Sequence, residues 1–275
     1  MRTNGELLLK FYRSLTEAIH KKEHITPAAD WFTDNFHIVE EQLREIQQDL
    51  PVSFYRELPK LDLGDLKGYP RIYAIALALI AHTDSKLEIE TISRFIQAFQ
   101  TVSPLNTGEL WALSITLRIS LVENLSRLAK KIVSDHELQR LANERADALF
   151  ASINDKKEIS FLIASLLDGS EDPQDINHTY LAQLFKRLRD QDTELWPALE
   201  AVEKKLSALN SSPEKAVDLL HQTQASNQIS VANVITSMRL LSGLNWRDFF
   251  ESITQTQTKQ LRLEILRFVD KSSKA

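Results

Sequence analysis

The stretch WFTDNFHIVEEQLREI, which begins at Trp31, concentrates side chains that can do chemistry. Asp34, His37 and Glu41 recur at helical spacing, and Asn35 lies beside them. Carboxylates near an imidazole can carry general acid–base catalysis, and two acids near a tryptophan would suit a sugar substrate. One helix, however, places these groups side by side, whereas a catalytic site needs groups that converge from several elements. The alternative is a helix whose polar face bonds to a neighbouring element.

Arg118 strengthens that alternative, because it lies in an otherwise apolar predicted helix. A buried arginine has to be paired, so we expect an ion pair with an acid such as Glu41 or Glu109, with an anion site as the other possibility. The sequence therefore predicts a structural polar network and no catalytic residue. The predicted members of the network are Asp34, Asn35, His37, Glu41, Arg56 and Arg118.

Signatures of cofactor and metal chemistry are missing from the sequence. The chain has no cysteine, no glycine-rich phosphate loop and no nucleophile elbow. His20 and His24 are one helical turn apart, but no third zinc ligand is evident. We predict no cofactor-binding or metal site in this chain.

The elements that position these residues are predicted to be helices. Thr26 is a helix cap, Pro27 suits the first helical position, and Pro51 ends the helix that carries the chemical side chains. Apolar residues recur along that helix at steps of three and four, which is the stripe of an amphipathic helix. The stripe consists of Phe32, Phe36, Val39, Leu43, Ile46 and Leu50.

The whole chain has the composition of an all-α protein. Only 6 Gly and 8 Pro occur in 275 residues, so we predict a bundle of about ten helices without a significant sheet. Separate helices are predicted near 110–133, 135–153, 156–168, 213–225 and 229–241, with Thr107 as the cap of the first. The chain is expected to be one domain, 1–275, with two possible subdomains, 1–134 and 135–275.

Charge and hydropathy narrow the possible partners. The net charge is −5, which gives no electrostatic reason to expect nucleic acid. The longest apolar run, 72–81, is too short to span a bilayer, so we predict no membrane span. The absence of cysteine fits a reducing compartment.

Four segments together resemble the N-terminal region of cyclic β-1,2-glucan synthases. They are AADWFTDNFHIVEEQLREIQQDLP, FYRELPKLDLGDLKGYPRIYAIALALIAHTDS, GELWALSITLRISLVENLSRLA and VANVITSMRLLSGLNWRDFFESI. Members of that family are large bacterial inner-membrane enzymes that polymerise glucose from UDP-glucose and cyclise the product. The resemblance covers residues 5–253 with gaps and fades afterwards, which implies an excised domain or a truncated or split gene product.

The resemblance implies an accessory role instead of a catalytic one. The family's glycosyltransferase domain lies downstream, and this chain has no Q-x-x-R-W segment, so no catalytic residue carries over. UDP-glucose and a divalent metal are expected only in that absent domain. The implied function is a cytoplasmic accessory or regulatory domain at the inner membrane, whose partner is the remainder of the synthase. The alternative is a stand-alone helical interaction or glucan-binding module that contacts glucan through Trp31 and Trp111.

Overall fold

The computed structural model describes residues 2–22, 25–49, 52–152, 161–163, 178–189 and 195–253. Within these ranges the secondary structure is helical, and the pairing of Lys60 with Pro70 is an isolated bridge that does not extend into a strand. The predicted all-α class is confirmed. The helices are α1 (Arg2–His20), α2 (Pro27–Asp34), α3 (Phe36–Asp49), α4 (Val52–Glu57), α5 (Arg71–His82), α6 (Ile89–Val102), α7 (Thr107–Ala151), α8 (His178–Leu188), α9 (Trp196–Ala208), α10 (Pro213–Gly243) and α11 (246–253).

Several helix boundaries differ from the predicted ones. The structure joins the predicted helices 110–133 and 135–153 into α7, and 213–225 and 229–241 into α10. Neither joined helix contains a proline or glycine in its interior, so the polar residues at the predicted breaks do not interrupt the backbone hydrogen bonds. The predicted helix 156–168 lies outside the described residues except for 161–163, which are helical.

The chain forms two compact units, and both are assembled from separate stretches of sequence. Unit 1 comprises residues 1–12, 32–127 and 230–275, and unit 2 comprises residues 13–31 and 128–229. The predicted subdomain boundary at residue 134 is close to the point where α7 leaves unit 1. A boundary at one residue cannot separate these units, however, because the long helices α7 and α10 each contribute to both.

The core of unit 1 is built on apolar helix faces. Phe32, Phe36, Val39 and Ile46 of the predicted stripe are buried. Phe32 and Phe36 pack with their ring centroids 5.4 Å apart. The first half of α7 is apolar on most faces and is buried accordingly. Its fully buried apolar side chains are Ala112, Leu113, Leu117, Leu121, Val122 and Leu125.

The core of unit 2 is built from smaller side chains on α7, α8 and α9. Alanines bring these helices close together, and leucines fill the remaining space. The buried core residues include Ala142, Ala146, Leu149, Leu181, Ala182, Leu184, Ala198, Val202 and Leu206. None of the helices in the described part of the chain combines the length and apolar character that a membrane crossing requires.

Candidate functional site

The helix predicted for residues 27–50 is two helices in the structure. Thr26 caps α2 as predicted, since its Oγ1 accepts a hydrogen bond from the Ala29 N–H at 3.3 Å. α2 ends at Asp34, Asn35 forms a turn, and α3 begins at Phe36. The turn is closed by the Ile38 N–H, which donates to the Asn35 carbonyl at 3.1 Å.

The polar stripe singled out in the sequence lies mostly in solvent. The side chains of Asp34, His37 and Glu41 are exposed, and Arg56 is exposed too. Among the predicted network residues, only Asn35 and Arg118 are buried. Their hydrogen-bond partners belong to a different stripe of α3 and to α10.

Arg118 makes the expected ion pair, but with Glu45 instead of Glu41 or Glu109. Its Nε donates to Glu45 Oε2 at 2.6 Å, and its Nη2 donates to the Leu241 carbonyl at 3.1 Å. The same carbonyl accepts the indole N–H of Trp246 at 3.2 Å. Glu45 is one turn beyond Glu41, on the side of α3 that faces the core.

Two amides continue this contact between α3 and α10. The Oδ1 of Asn35 accepts from Arg239, and Gln42 Nε2 donates to Ser242 Oγ at 2.7 Å. Asn35, Ile38, Gln42 and Glu45 follow one helical face. We call these contacts, together with the Arg118–Glu45 pair, the α3–α10 seam. The isoleucine of that stripe, Ile38, is buried, and an apolar residue there could have indicated that this face packs against another helix. The stripe of Asp34 and Glu41 contains no apolar residue.

A second buried ion pair joins the start of α5 to the start of α7. Arg71 Nε and Nη2 donate to the two carboxylate oxygens of Glu109 at 2.9 and 2.7 Å. Glu109 is fully buried and also accepts the Asn106 N–H at 3.0 Å, while Asn106 Oδ1 accepts the Glu109 N–H at 2.8 Å. This reciprocal arrangement is a capping box, so Asn106 caps α7 and the predicted cap, Thr107, is its first helical residue.

The turn after α5 has an unusual backbone. Asp84 and Ser85 both have positive φ, 47° and 60°, a region that side-chain-bearing residues seldom adopt. Hydrogen bonds compensate for this strain. Ser230 donates to the Asp84 carboxylate, Asn124 Nδ2 donates to Ser85 Oγ at 2.6 Å, and Ser237 Oγ donates to the Ser85 carbonyl at 2.6 Å.

A group of tyrosines lies around Glu123 in unit 1. Tyr73 donates its hydroxyl to Glu123, and the ring of Tyr69 stacks on Tyr73 with a centroid distance of 5.5 Å. Burial, and then the bond to Glu123, raise the pKa of Tyr73. Burial also raises the pKa of Tyr55, with help from Tyr69 and Glu123. Both shifts favour the protonated hydroxyl, and the hydroxyl of Tyr73 is the donor in its bond to Glu123.

The two tryptophans predicted to contact glucan lie in different units. Trp111, in unit 1, is 51% exposed, and its ring is 5.5 Å from that of Phe250, which also packs against Trp246. Trp31, in unit 2, is 40% exposed. Each presents part of a flat apolar surface, and glucan contact at either residue stays a prediction.

The acids of the described residues do not assemble into a metal centre. Among those residues, no group of three or more His, Asp or Glu side chains is placed to hold a metal ion. The buried acid Glu109 is bonded to arginine, as is the partly buried Glu45. These two ion pairs join segments that are far apart in sequence.

Comparison with known proteins finds a similar segment in a larger protein. No protein-family model matches the chain. The chain is 33% identical over 254 residues to the cyclic beta-(1,2)-glucan synthase NdvB of Rhizobium meliloti (strain 1021). The chain is homologous to one segment of a cyclic β-(1,2)-glucan synthase. The predicted resemblance is thereby confirmed. The match covers 92% of this chain but only 9% of NdvB.

The four segments that carry the resemblance meet mainly in unit 1. Apart from residues 28–31 and 128–129, the described parts of all four lie within 32–127 and 230–253. The α3–α10 seam, the Arg71–Glu109 pair and the Asp84–Ser85 turn are built from their side chains. The segments that carry the resemblance therefore contain most of the polar contacts that join the helices of unit 1.

Proposed function

We propose that this chain is an accessory helical domain of a cyclic β-(1,2)-glucan synthase and does not transfer glucose itself. The observation that carries the proposal is the match of 92% of this chain to a segment that makes up only 9% of NdvB. A segment of that size is one component of a much larger protein. Its partner would be the remainder of the synthase, encoded in the same reading frame or in a separate one.

The polar chemistry of unit 1 supports a structural role. Glu45 and Glu109 are bonded to arginines, and burial raises the pKa of Tyr73, which favours its protonated hydroxyl. Asp34 and Glu41, the acids that raised the possibility of catalysis, are exposed on their helices. Glucose transfer needs a leaving group to be stabilised and an acceptor to be activated by converging groups. In this proposal, UDP-glucose and any divalent metal bind elsewhere in the synthase, and the domain works on the cytoplasmic side of the membrane.

The direct test is a transfer assay on the purified chain. The chain is incubated with labelled UDP-glucose and Mg²⁺ or Mn²⁺, with membranes that contain NdvB as the positive control. We expect no labelled β-1,2-glucan from the chain alone. Product formed by the chain and abolished by Asp34→Asn or Glu41→Gln would place an active site in this domain and contradict the proposal.

Gene arrangement tests the partner. We expect the same reading frame, or an adjacent one, to encode membrane helices and a glycosyltransferase domain. Flanking genes without either would favour the second candidate function, a stand-alone glucan-binding module. The half-exposed ring of Trp111 is the observation that favours this second candidate, because an aromatic face can stack on the apolar face of a sugar ring.

A further inference from the structure

A polar groove in unit 2 has no part in the contacts described above. Its volume is about 720 Å³, and it lies between α7, α8 and α10. Pockets that bind small molecules usually fall between about 300 and 1,000 Å³. Four amide side chains line it, together with histidines and charged groups. The amides are Gln139, Asn143, Gln183 and Gln224.

The amides leave donors and acceptors available in the groove. Gln183 Nε2 donates to Asn143 Oδ1 at 2.9 Å, which leaves the Nδ2 of Asn143 as a donor and the Oε1 of Gln183 as an acceptor. The Nε2 of Gln139 is buried on the same wall and has no hydrogen-bond partner among the described residues. A buried donor without a partner is costly, so its presence in a cavity wall points to a ligand that accepts the hydrogen bond.

The charges around the groove favour a neutral ligand over an anion. Arg140 is bonded to Glu144, one turn along α7, so one of the nearby cations is already neutralised. Lys186 and two imidazoles, those of His136 and His221, complete the polar lining. Amides and imidazoles each donate and accept, and a hydroxyl group does the same. A ligand rich in hydroxyls is therefore the best chemical match.

We infer that this groove binds a linear β-1,2-linked glucose oligosaccharide, with Gln139, Asn143 and Gln183 as hydrogen-bonding residues. The choice of glucan rests on the proposed function, whereas the preference for hydroxyls rests on the groove alone. In the synthase, such a site would hold part of the growing or finished chain away from the transferase.

The test is titration of the full chain with linear β-1,2-gluco-oligosaccharides, followed by calorimetry or by NMR shifts of the side-chain amides. We expect saturable binding that weakens by about tenfold in Gln139→Ala, which removes the unpaired donor. Asn143→Ala should weaken binding similarly. Gln97→Ala is the matched control, because Gln97 is a half-buried amide in unit 1, bonded to Ser93, and its loss should leave the affinity unchanged.

Other outcomes would overturn the inference. These are the absence of saturable saccharide binding, equal weakening by Gln97→Ala, or binding of inorganic phosphate without binding of the saccharide. Circular dichroism of each variant verifies that the fold is kept. Failure here is separate from failure of the proposed function, which is judged by glucose transfer and gene arrangement.

Discussion

Unit 1 and unit 2 use polar side chains in opposite ways. In unit 1, buried or half-buried polar groups from distant segments bond to one another, as in the Arg71–Glu109 and Arg118–Glu45 pairs. In unit 2, close packing of alanines and leucines joins the helices, while a set of amides faces a groove. Buried ion pairs add little net stability but penalise any arrangement that separates them, so we interpret those of unit 1 as fixing one arrangement of its helices.

This difference between the units predicts that the substitution with the largest loss of stability is at Glu109. Glu109→Ala removes the ionic partner of Arg71, which keeps its bonds to Ser103 and the Pro104 carbonyl, and it removes half of the capping box of α7. We expect the free energy of unfolding to fall by about 3–5 kcal/mol, measured by urea denaturation. Glu17→Ala breaks the exposed Glu17–Lys21 pair and should leave the midpoint unchanged. A loss at Glu109 below about 1 kcal/mol would mean that the ion pairs do not fix unit 1.

In unit 2 the sensitive positions should be apolar. Leu181→Ala removes a fully buried side chain from the core, and we expect a loss of about 2–5 kcal/mol. Gln139→Ala, on the groove wall of the same unit, should leave the stability unchanged or raise it slightly, because it removes a buried donor that has no partner. If Gln139→Ala is as damaging as Leu181→Ala, polar bonding holds unit 2 as well.

The α3–α10 seam offers a comparison within one helix. Glu45→Ala strands the buried Arg118, and we expect a loss of about 1–3 kcal/mol, smaller than at Glu109 because Glu45 is partly exposed. Glu41→Ala, one turn earlier, should have little effect on thermal stability since its side chain is exposed. Equal losses of stability at both positions would support the polar network that was predicted from the sequence.

The smallest effect concerns pH and Asp135 in unit 2. Burial raises the pKa of Asp135, although Lys131 and a hydrogen bond with Asn227 oppose the shift. The folded state therefore holds the proton more tightly than the unfolded state. Stability attributable to this residue falls as the pH rises from the unfolded pKa through the folded pKa. Asp135→Asn should raise the melting temperature slightly at pH 7 and give no gain near pH 3. A gain that persists at pH 3 would contradict this assignment.

The sequence predicted the positions of the helices better than it predicted the hydrogen-bond partners of their side chains. Pro27, Thr26 and the apolar stripe of α3 act locally, so the start of α2 and the buried face of α3 could be predicted from spacing alone. The absence of a proline or glycine near residue 134 was also visible, and giving it more weight would have predicted the continuous α7. Such features depend on residues within a few turns.

Pairing across the fold depends on residues far apart in sequence. Asn35 bonds to Arg239. Arg118 bonds to Glu45 and not to Glu41, and these two acids are one helical turn apart. Arg71, the first residue of α5, was not predicted to form an ion pair. Its partner Glu109 was instead predicted as a possible ion-pair partner of Arg118. The unpaired amide of Gln139 could not be predicted, because only the packing of α7, α8 and α10 forms the groove around it.

The most direct test of the account is glucan synthesis by NdvB with and without the segment that matches this chain. Both forms are expressed in cells that lack NdvB, and labelled cyclic β-(1,2)-glucan formed from UDP-glucose is measured per molecule of synthase in the membrane. If the segment is an accessory domain that the synthase requires, the shortened protein should reach the membrane but make little or no cyclic glucan. Unchanged yield and ring size in the shortened protein would contradict the account.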